Sequence, residues 1–171
     1  MTESLEQRVR HLEDYLEIME VKSRYCKYLD IRNPDPADAI SKAGGIAVLF
    51  AEDGVLDNRP GGPYAVGRAA IRDMYFARRG NVLASSHNVV NPIIRIDGDN
   101  AVGEWHGIFY SRSGAPDQTG KTEQISFGTY HDEFVRTPEG WRIKSLKLVF
   151  TSDRPGYRPG NTTPESGRSN S

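Results

Sequence analysis

Three residues have side chains suited to acid/base chemistry and a spacing that could bring them to one site. The stretch RYCKYLD, residues 24–30, places Tyr25 and Asp30 five residues apart near the end of a helix, and SSHNVVNP places His87 on a strand. A neutral imidazole titrates near working pH and can act as a general base. A carboxylate can orient that imidazole, and a phenol can donate a hydrogen bond to an oxygen on which charge develops. The pattern is that of a proton-transfer site.

The geometry of helix and strand limits how these three residues can meet. A spacing of five corresponds to about 500° of helical rotation, so Tyr25 and Asp30 lie roughly 140° apart and reach one cavity only from its wall and its rim. The strand period of two places His87 on one face with Val89, Asn91 and Ile93. The same residues also fit structural roles, as a core tyrosine, an aspartate in a turn and a hydrogen-bonded histidine.

The other histidines are weaker candidates. His106 falls on the strand face opposite Trp105, where we expect a sheet interface. His131 neighbours two acidic residues, which favours a solvated charge pair, and His11 lies on the exposed side of the first helix. We assign none of them a catalytic role.

Composition excludes several classes of function. The 171 residues include 22 Lys and Arg against 23 Asp and Glu, which leaves no net field for nucleic acid or a membrane surface. Cys26 is the only cysteine, so no internal disulfide or thiolate cluster can form. There is no phosphate-binding glycine loop and no metal-ligand motif, so we expect no cofactor and no metal. The chain has no apolar run of membrane-spanning length, and its charged start predicts a cytoplasmic protein.

The first element is a long helix with two apolar stripes. Residues 3–30 contain no proline or glycine. An early stripe alternates spacings of four and three at Leu5, Val9, Leu12, Leu16 and Met19. A later stripe comprises Ile18, Val21, Tyr25, Tyr28 and Leu29. We expect the later stripe to pack in the domain and the early one to contact a second copy in a homodimer or higher homo-oligomer.

The rest of the chain predicts an α+β domain. A shorter helix should follow NPDPAD, then a turn at Asp53 and Gly54, a short strand, and another helix after Gly67. Beyond residue 80, four long strands joined by tight turns predict an antiparallel meander, with a bulge in the last strand, WRIKSLKLVF. We expect one domain over residues 1–150, with an N-terminal helical extension at about 1–15, and a flexible tail over 151–171.

The order of several motifs resembles the SnoaL-like branch of the nuclear transport factor two superfamily. They are KSRYCKYLD, LFAEDGVLD, VGRAAIRDMY, SHNVVNPIIRIDGDNAVGEW and GTYHDEFVRTPEGWRI. The resemblance covers roughly residues 14–150. It implies a cone-shaped barrel in which a curved, mostly antiparallel sheet wraps around N-terminal helices and encloses a pocket. Scytalone dehydratase, bile acid 7-alpha dehydratase and hexachlorocyclohexane dehydrochlorinase look the most similar within the branch, and they catalyse eliminations without a cofactor.

The resemblance also implies site residues. Tyr25, Asp30 and His87 match the tyrosine, aspartate and histidine of the bile acid enzyme. That enzyme's further aspartate and arginine fall here on Phe109 and Phe150, which predicts an apolar pocket end and a hydrophobic, ring-containing ligand. We expect the pocket to be lined by Tyr64, Met74, Asn91, Trp105, Phe109 and Tyr130.

The resulting prediction is an acid/base lyase or isomerase of the dehydratase type, with a polyketide cyclase as a variant. Two other classes stay open on the same residues. One is a noncatalytic small subunit of a ring-hydroxylating dioxygenase, in which the three polar residues form a structural network. The other is a protein that binds a small ligand without converting it.

Overall fold

The computed structural model describes residues 4–30, 36–78, 82–114 and 122–151. The helices are α1 (Leu5–Leu29), α2 (Pro36–Ala47) and α3 (Arg68–Arg78). The strands are β1 (Phe50–Asp57), β2 (Tyr64–Val66), β3 (Val82–Asp97), β4 (Asn100–Ser113), β5 (Thr122–Thr137) and β6 (Gly140–Phe150). The predicted α+β class is confirmed, and the predicted tail lies outside the described residues apart from Thr151. None of the described helices is long and apolar enough to cross a membrane.

Helix α1 begins at a capping box and turns one stripe towards the core. The Ser4 side chain accepts a hydrogen bond from the Gln7 amide, and the Gln7 side chain accepts one from the Ser4 amide. Ile18 and Tyr25 of the later stripe are buried, as predicted. The early stripe is exposed, and we refer to its four exposed members as the leucine strip: Leu5, Val9, Leu12 and Leu16.

The early turns of α1 are nevertheless fixed to the sheet through polar contacts. Both Asp14 carboxylate oxygens accept hydrogen bonds from Arg136 at 2.6 Å, and Asp14 also accepts one from Trp141 Nε1 at 3.0 Å. The Trp141 amide donates to Glu17. The Arg136 guanidinium holds the pKa of Asp14 below its usual value. These contacts join the helix to β5 and β6.

The six strands form one sheet in the order β2-β1-β6-β5-β4-β3. The predicted meander from β3 to β6 is antiparallel throughout, and β1 joins it by pairing parallel to β6. The sheet is not closed, because β2 and β3 are its two edges. The helices cover its inner face, where the core residues gather.

Two bulges change what periodicity alone predicts for β1 and β6. The predicted turn at Asp53 and Gly54 is wrong, since β1 runs through both residues with a register irregularity against β6. A Cβ on Gly54 would lie 3.0 Å from the Ala51 carbonyl oxygen, so the backbone approaches itself closely there. The predicted bulge in β6 is confirmed, because the pairing with β5 skips Lys144.

A third bulge lies in β3 and changes which side chains face inward. The pairing of β3 with β4 skips Asn91 and Pro92, and Asn91 has a left-handed φ of 55°. Proline has no N–H for the ladder, so the strand accommodates it as an irregularity. The expectation that Ile93 shares a face with His87 is therefore wrong. Ile93 is exposed, and Ile94 packs against the core instead.

Candidate functional site

A cavity of about 290 Å³ lies between the end of α1, helix α3 and the inner face of β3 to β6. Its described lining is Tyr25, Leu29, Asn58, Gly62, Pro63, Tyr75, Val82, Ser85, His87, Phe109, Tyr110, Ser111, Ser113, Ser126, Tyr130, Leu148 and Phe150. This set contains no lysine, arginine or carboxylate. The cavity therefore combines aromatic and hydroxyl groups with one imidazole.

His87 and Asp30 meet at the wall of this cavity. Asp30 is the C-cap of α1, and its extended backbone directs the carboxylate towards the start of β3. Its Oδ1 accepts a hydrogen bond of 2.7 Å from the His87 backbone amide and lies 3.1 Å from His87 Nδ1. A carboxylate can only accept, so the contact requires a hydrogen on Nδ1, and in the neutral imidazole this leaves the lone pair on Nε2. The side chains are 21% and 25% exposed for His87 and Asp30, so the pair remains accessible to solvent.

Tyr25 lies at the cavity floor with Tyr75 and Tyr130, a group that we call the tyrosine floor. The Tyr25 and Tyr75 hydroxyls are 2.7 Å apart. The Tyr25 ring meets those of Tyr75 and Tyr130 edge to face, with centroids 6.4 and 6.2 Å away. Burial raises the pKa of Tyr25 and of Tyr130 well above the usual value, so both phenols stay protonated. The structure thus places the protonated phenol of Tyr25 in the same cavity as His87.

Phe109 forms the wall beside His87. The two residues are direct partners on β4 and β3, and their ring centroids are 5.6 Å apart. The Phe109 ring folds back over Gly107, where any Cβ would collide with it. It also contacts Tyr130 and Phe150 edge to face at 5.7 and 5.9 Å. Glycine two residues before the aromatic residue therefore creates the space in which this ring lies.

Of the six residues predicted to line the pocket, the structure places Phe109 and Tyr130 there. Tyr64 lies at the sheet edge, half exposed, with the Arg59 guanidinium stacked 3.9 Å from its ring centroid. Met74 packs against the core. Neither belongs to the described lining of the cavity.

Asn91 and Trp105 also lie away from the cavity. Asn91 is exposed, and its Nδ2 is 3.4 Å from His106 Nδ1 on the outer sheet face. The bulge in β3 is the physical reason, because it breaks the alternation that linked Asn91 to His87. Trp105 is buried in the core, where its ring lies over Gly103.

Several lining residues were not predicted. Tyr75 lies on α3, and nothing in the local sequence indicates that its hydroxyl meets that of Tyr25. Ser85 is fixed by a 3.0 Å hydrogen bond to the Leu29 carbonyl, which connects β3 to the end of α1. Ser126 is buried opposite Phe109. These contacts depend on long-range pairing, which periodicity does not specify.

The remaining histidines lie outside the cavity lining. His131 is exposed on the outer sheet face, and its Nδ1 lies 3.3 Å from Glu104 Oε2 on β4 rather than near the adjacent Asp132, which is buried with Lys22. Within residues 4–30, 36–78, 82–114 and 122–151, no group of three His, Cys, Asp or Glu side chains is arranged to hold a metal ion.

Comparison with solved structures places the fold. A hexachlorocyclohexane dehydrochlorinase, LinA type 2, superposes with a TM-score of 0.71 at 14% identity, over 92% of this chain and 98% of that one. A protein of Novosphingobium aromaticivorans, provisionally assigned as a scytalone dehydratase, gives 0.69 at 19% identity, over 90% and 97%. An NTF2-like protein with a cystatin-like fold from the same organism gives 0.63 at 23% identity, over 91% and 96%. At these identities the likeness establishes the fold.

Sequence comparison establishes the family. The uncharacterized protein Rv2910c of Mycobacterium tuberculosis is 28% identical over 140 residues, which are 79% of this chain and 84% of that protein. The family model of the SnoaL-like domain matches residues 10–147. Since that match spans most of the sequence, the chain belongs to the SnoaL-like domain family, on an NTF2-like fold.

Proposed function

We propose that this protein is an acid/base lyase or isomerase acting on a hydrophobic, ring-containing small molecule. The observation that carries the proposal is the pairing of Asp30 with His87, an imidazole in the lining of a cavity whose described lining residues include no lysine, arginine or carboxylate. Two structural neighbours are named as a dehydrochlorinase and, provisionally, a dehydratase, which are both elimination enzymes. Their names support the reaction class without fixing the substrate.

In the proposed reaction His87 is the general base. Its Nε2 takes a proton from a carbon next to a carbonyl, and the electron pair of that C–H bond forms a double bond as a leaving group departs. In an isomerisation the same proton returns at another carbon. Asp30 Oδ1, which is 3.1 Å from His87 Nδ1, accepts the hydrogen bond of Nδ1–H and stabilises the imidazolium that forms during the reaction. A general base of this kind contributes roughly 10² to 10⁴ in rate.

The tyrosine floor supplies the second half of the proposed chemistry. Tyr25, with Tyr75 beside it, donates a hydrogen bond to the oxygen on which charge develops, either a carbonyl or a departing hydroxyl. Such donors stabilise charge better in a site that excludes water than in solution. Aldol closure needs the same base and the same donor, so a polyketide cyclase is a variant of this proposal.

The cavity indicates the kind of substrate. Its volume of about 290 Å³ equals that of roughly ten water molecules in the liquid, which suits a molecule of one or two rings. Phe109 and Phe150 supply apolar contacts, and no lysine or arginine among the described lining residues would pair with a carboxylate. An uncharged cyclic compound fits these walls best.

The test is turnover of cyclic β-hydroxy ketones, followed by the ultraviolet absorbance of the conjugated enone that elimination forms. We expect His87→Gln to lower kcat at least 100-fold, because glutamine cannot accept the proton. Asp30→Asn should lower kcat by a smaller factor, since the imidazolium loses its counter-charge. The matched control is His106→Gln on the outer sheet face, which should keep wild-type turnover. Equal turnover by wild type and His87→Gln would rule out the assignment.

A second proposal concerns partners. We expect the protein to form a homodimer or higher homo-oligomer through the leucine strip, because a single helix face rarely leaves four large aliphatic side chains in water. The outer sheet face is also apolar, with Ile108, Ile125 and Phe127 exposed. This surface would suit the alternative role of a noncatalytic dioxygenase subunit.

Two observations would favour the alternative functions. Solubility that depends on a larger partner would favour the dioxygenase subunit, and a ligand recovered unchanged would favour a binding protein.

A further inference from the structure

A buried ion pair lies next to the tyrosine floor and takes no part in the reaction proposed above. Lys22 Nζ, on α1, is 2.6 Å from Asp132 Oδ2, on β5, and the two side chains are 1% and 0% exposed. Burial raises the pKa of Asp132 against the opposing effect of Lys22. A buried ion pair adds little net stability because both charges lose their hydration. A role for this ion pair is therefore better inferred from its position beside the cavity than from its contribution to stability.

The ammonium of Lys22 is surrounded by aromatic rings. Its Nζ lies 3.2 Å from the ring centroid of Tyr130, 5.1 Å from that of Trp105 and 5.2 Å from that of Tyr25. All three distances are within the range of cation–π attraction. Two of these rings, Tyr25 and Tyr130, line the cavity, whereas Asp132 is absent from its described lining. The positive end of the pair is thus the end that touches the cavity wall.

The thiol and the phenols near the ammonium are uncharged, and the nearby carboxylates are Asp132 and Asp30. Burial raises the pKa of the Cys26 thiol to about 11, so it stays neutral at ordinary pH. Burial likewise keeps Tyr25 and Tyr130 protonated. Lys22 precedes Tyr25 by three residues and so lies on the same face of α1. The ammonium of the ion pair therefore lies behind the protonated phenols of Tyr25 and Tyr130, whose rings line the cavity.

We propose that the Lys22–Asp132 pair holds the tyrosine floor in place and gives it a positive potential, so that the cavity prefers an anionic oxygen to its neutral form. The ligand class is an enolate or a phenolate on a ring. The inference rests on the proposed function, because removal of a proton by His87 next to a carbonyl would create such an enolate. Lys22 is a positioning residue, since it acts through Tyr130 and Tyr25 and does not itself line the cavity.

The test uses 4-nitrophenol, a single-ring probe whose neutral and ionised forms differ in absorbance. Titration of the probe with excess protein across pH 5 to 9 gives the pKa of the bound phenol. The variant is Lys22→Met/Asp132→Leu, which removes both charges at once, because a single substitution would leave an unpaired buried charge. The matched control is Lys144→Met/Asp53→Leu, which removes an exposed ion pair between the same residue types.

We expect the preference for the phenolate to fall about tenfold in Lys22→Met/Asp132→Leu, which raises the pKa of the bound probe by about one unit. The Lys144→Met/Asp53→Leu control should match wild type. Tyr130→Phe keeps its ring over the ammonium and loses one hydroxyl, so it should fold and show part of the same loss. If the buried double variant does not fold, Lys22→Gln/Asp132→Asn takes its place, because it removes both charges and keeps polar side chains of similar size.

Three results would overturn the proposal. The first is an unchanged pKa of the bound probe in both Lys22→Met/Asp132→Leu and Tyr130→Phe. The second is a loss of phenolate preference in the Lys144→Met/Asp53→Leu control as large as that in the buried double variant. The third is a wild-type cavity that binds neither form of the probe. His87→Gln separates this proposal from the proposed function, because it should abolish turnover and keep the phenolate preference. A phenolate preference lost only in His87→Gln would assign the anion to the imidazole and refute a role for Lys22.

Discussion

Gly107→Ala tests whether the cavity wall is built as the structure indicates. A Cβ at this position would lie 2.8 and 2.9 Å from Cε2 and Cε1 of Phe109, and closer still to Cζ. Ordinary contacts of a Cβ begin near 3.4 Å, so Cε2 must move by about 0.6 Å and Cζ, which is nearer, by more than that. The ring is already in contact with His87, Tyr130 and Phe150. Its remaining free direction is into the cavity.

The expected cost follows from overpacking. Forcing one extra methyl into a close-packed wall destabilises a protein by typically 1 to 3 kcal/mol. For a chain of this length that lowers Tm by roughly 3 to 10 °C. The displaced Phe109 ring should also occupy part of the cavity, so binding of 4-nitrophenol should weaken at least about threefold. Both effects have one cause and should appear together.

Thermal unfolding by circular dichroism and absorbance titration of the probe measure the two effects. The matched control is Gly44→Ala in α2, where nothing lies within 4 Å of the added methyl. That change should stabilise the protein by about 0.4 to 1 kcal/mol, because it restricts the unfolded chain. Wild-type stability and probe affinity in Gly107→Ala would refute the placement of the Phe109 ring over Gly107.

Two further predictions concern α1. Asp14→Asn should lower the free energy of unfolding by about 2 kcal/mol at pH 7, measured with urea, because charged hydrogen bonds to Arg136 are lost. Folding lowers the pKa of Asp14, so its contribution to the free energy of unfolding is present above about pH 4 and is lost as the pH falls through the folded pKa. The difference in the free energy of unfolding between Asp14→Asn and wild type should therefore shrink towards pH 3. Leu12→Glu/Leu16→Glu should convert the proposed oligomer to monomers in sedimentation, because two negative charges on the leucine strip would oppose the contact. An unchanged oligomer would exclude the leucine strip as the contact.

Much of the fold could be predicted because strong local signals coincide with tertiary packing. The apolar period of α1 runs without proline or glycine, and the turns DGDN and TPEG separate strands of similar length. The bulge at Asn91 and Pro92 shows where such reasoning fails. Proline in a strand indicates an irregularity, but whether the strand ends or bulges depends on the partner strand, which the local sequence does not describe.

Some residues of the candidate site could likewise be predicted from the sequence, and others could not. Asp30 and His87 could be found from residue type and from resemblance, and the structure pairs them. Tyr75 could not, because its hydroxyl meets that of Tyr25 only after α3 packs beneath the sheet. The buried positions of Lys22 and Asp132 could have been predicted from the sequence. Each is a charged residue in phase with buried apolar neighbours, and charges so placed are seldom buried without a partner.

The two halves of the proposed site differ in depth, and elimination chemistry benefits from that difference. His87 is partly exposed at the wall, so an imidazolium formed there can return its proton to solvent. The tyrosine floor is almost fully buried, and its hydroxyls act in a low-dielectric setting where hydrogen bonds to a developing oxyanion are strongest. Phe109 lies between them as an apolar contact, and the described lining residues include no lysine or arginine that would compete for the oxyanion. A substrate whose acidic carbon faces His87 while its oxygen reaches Tyr25 would use both environments at once.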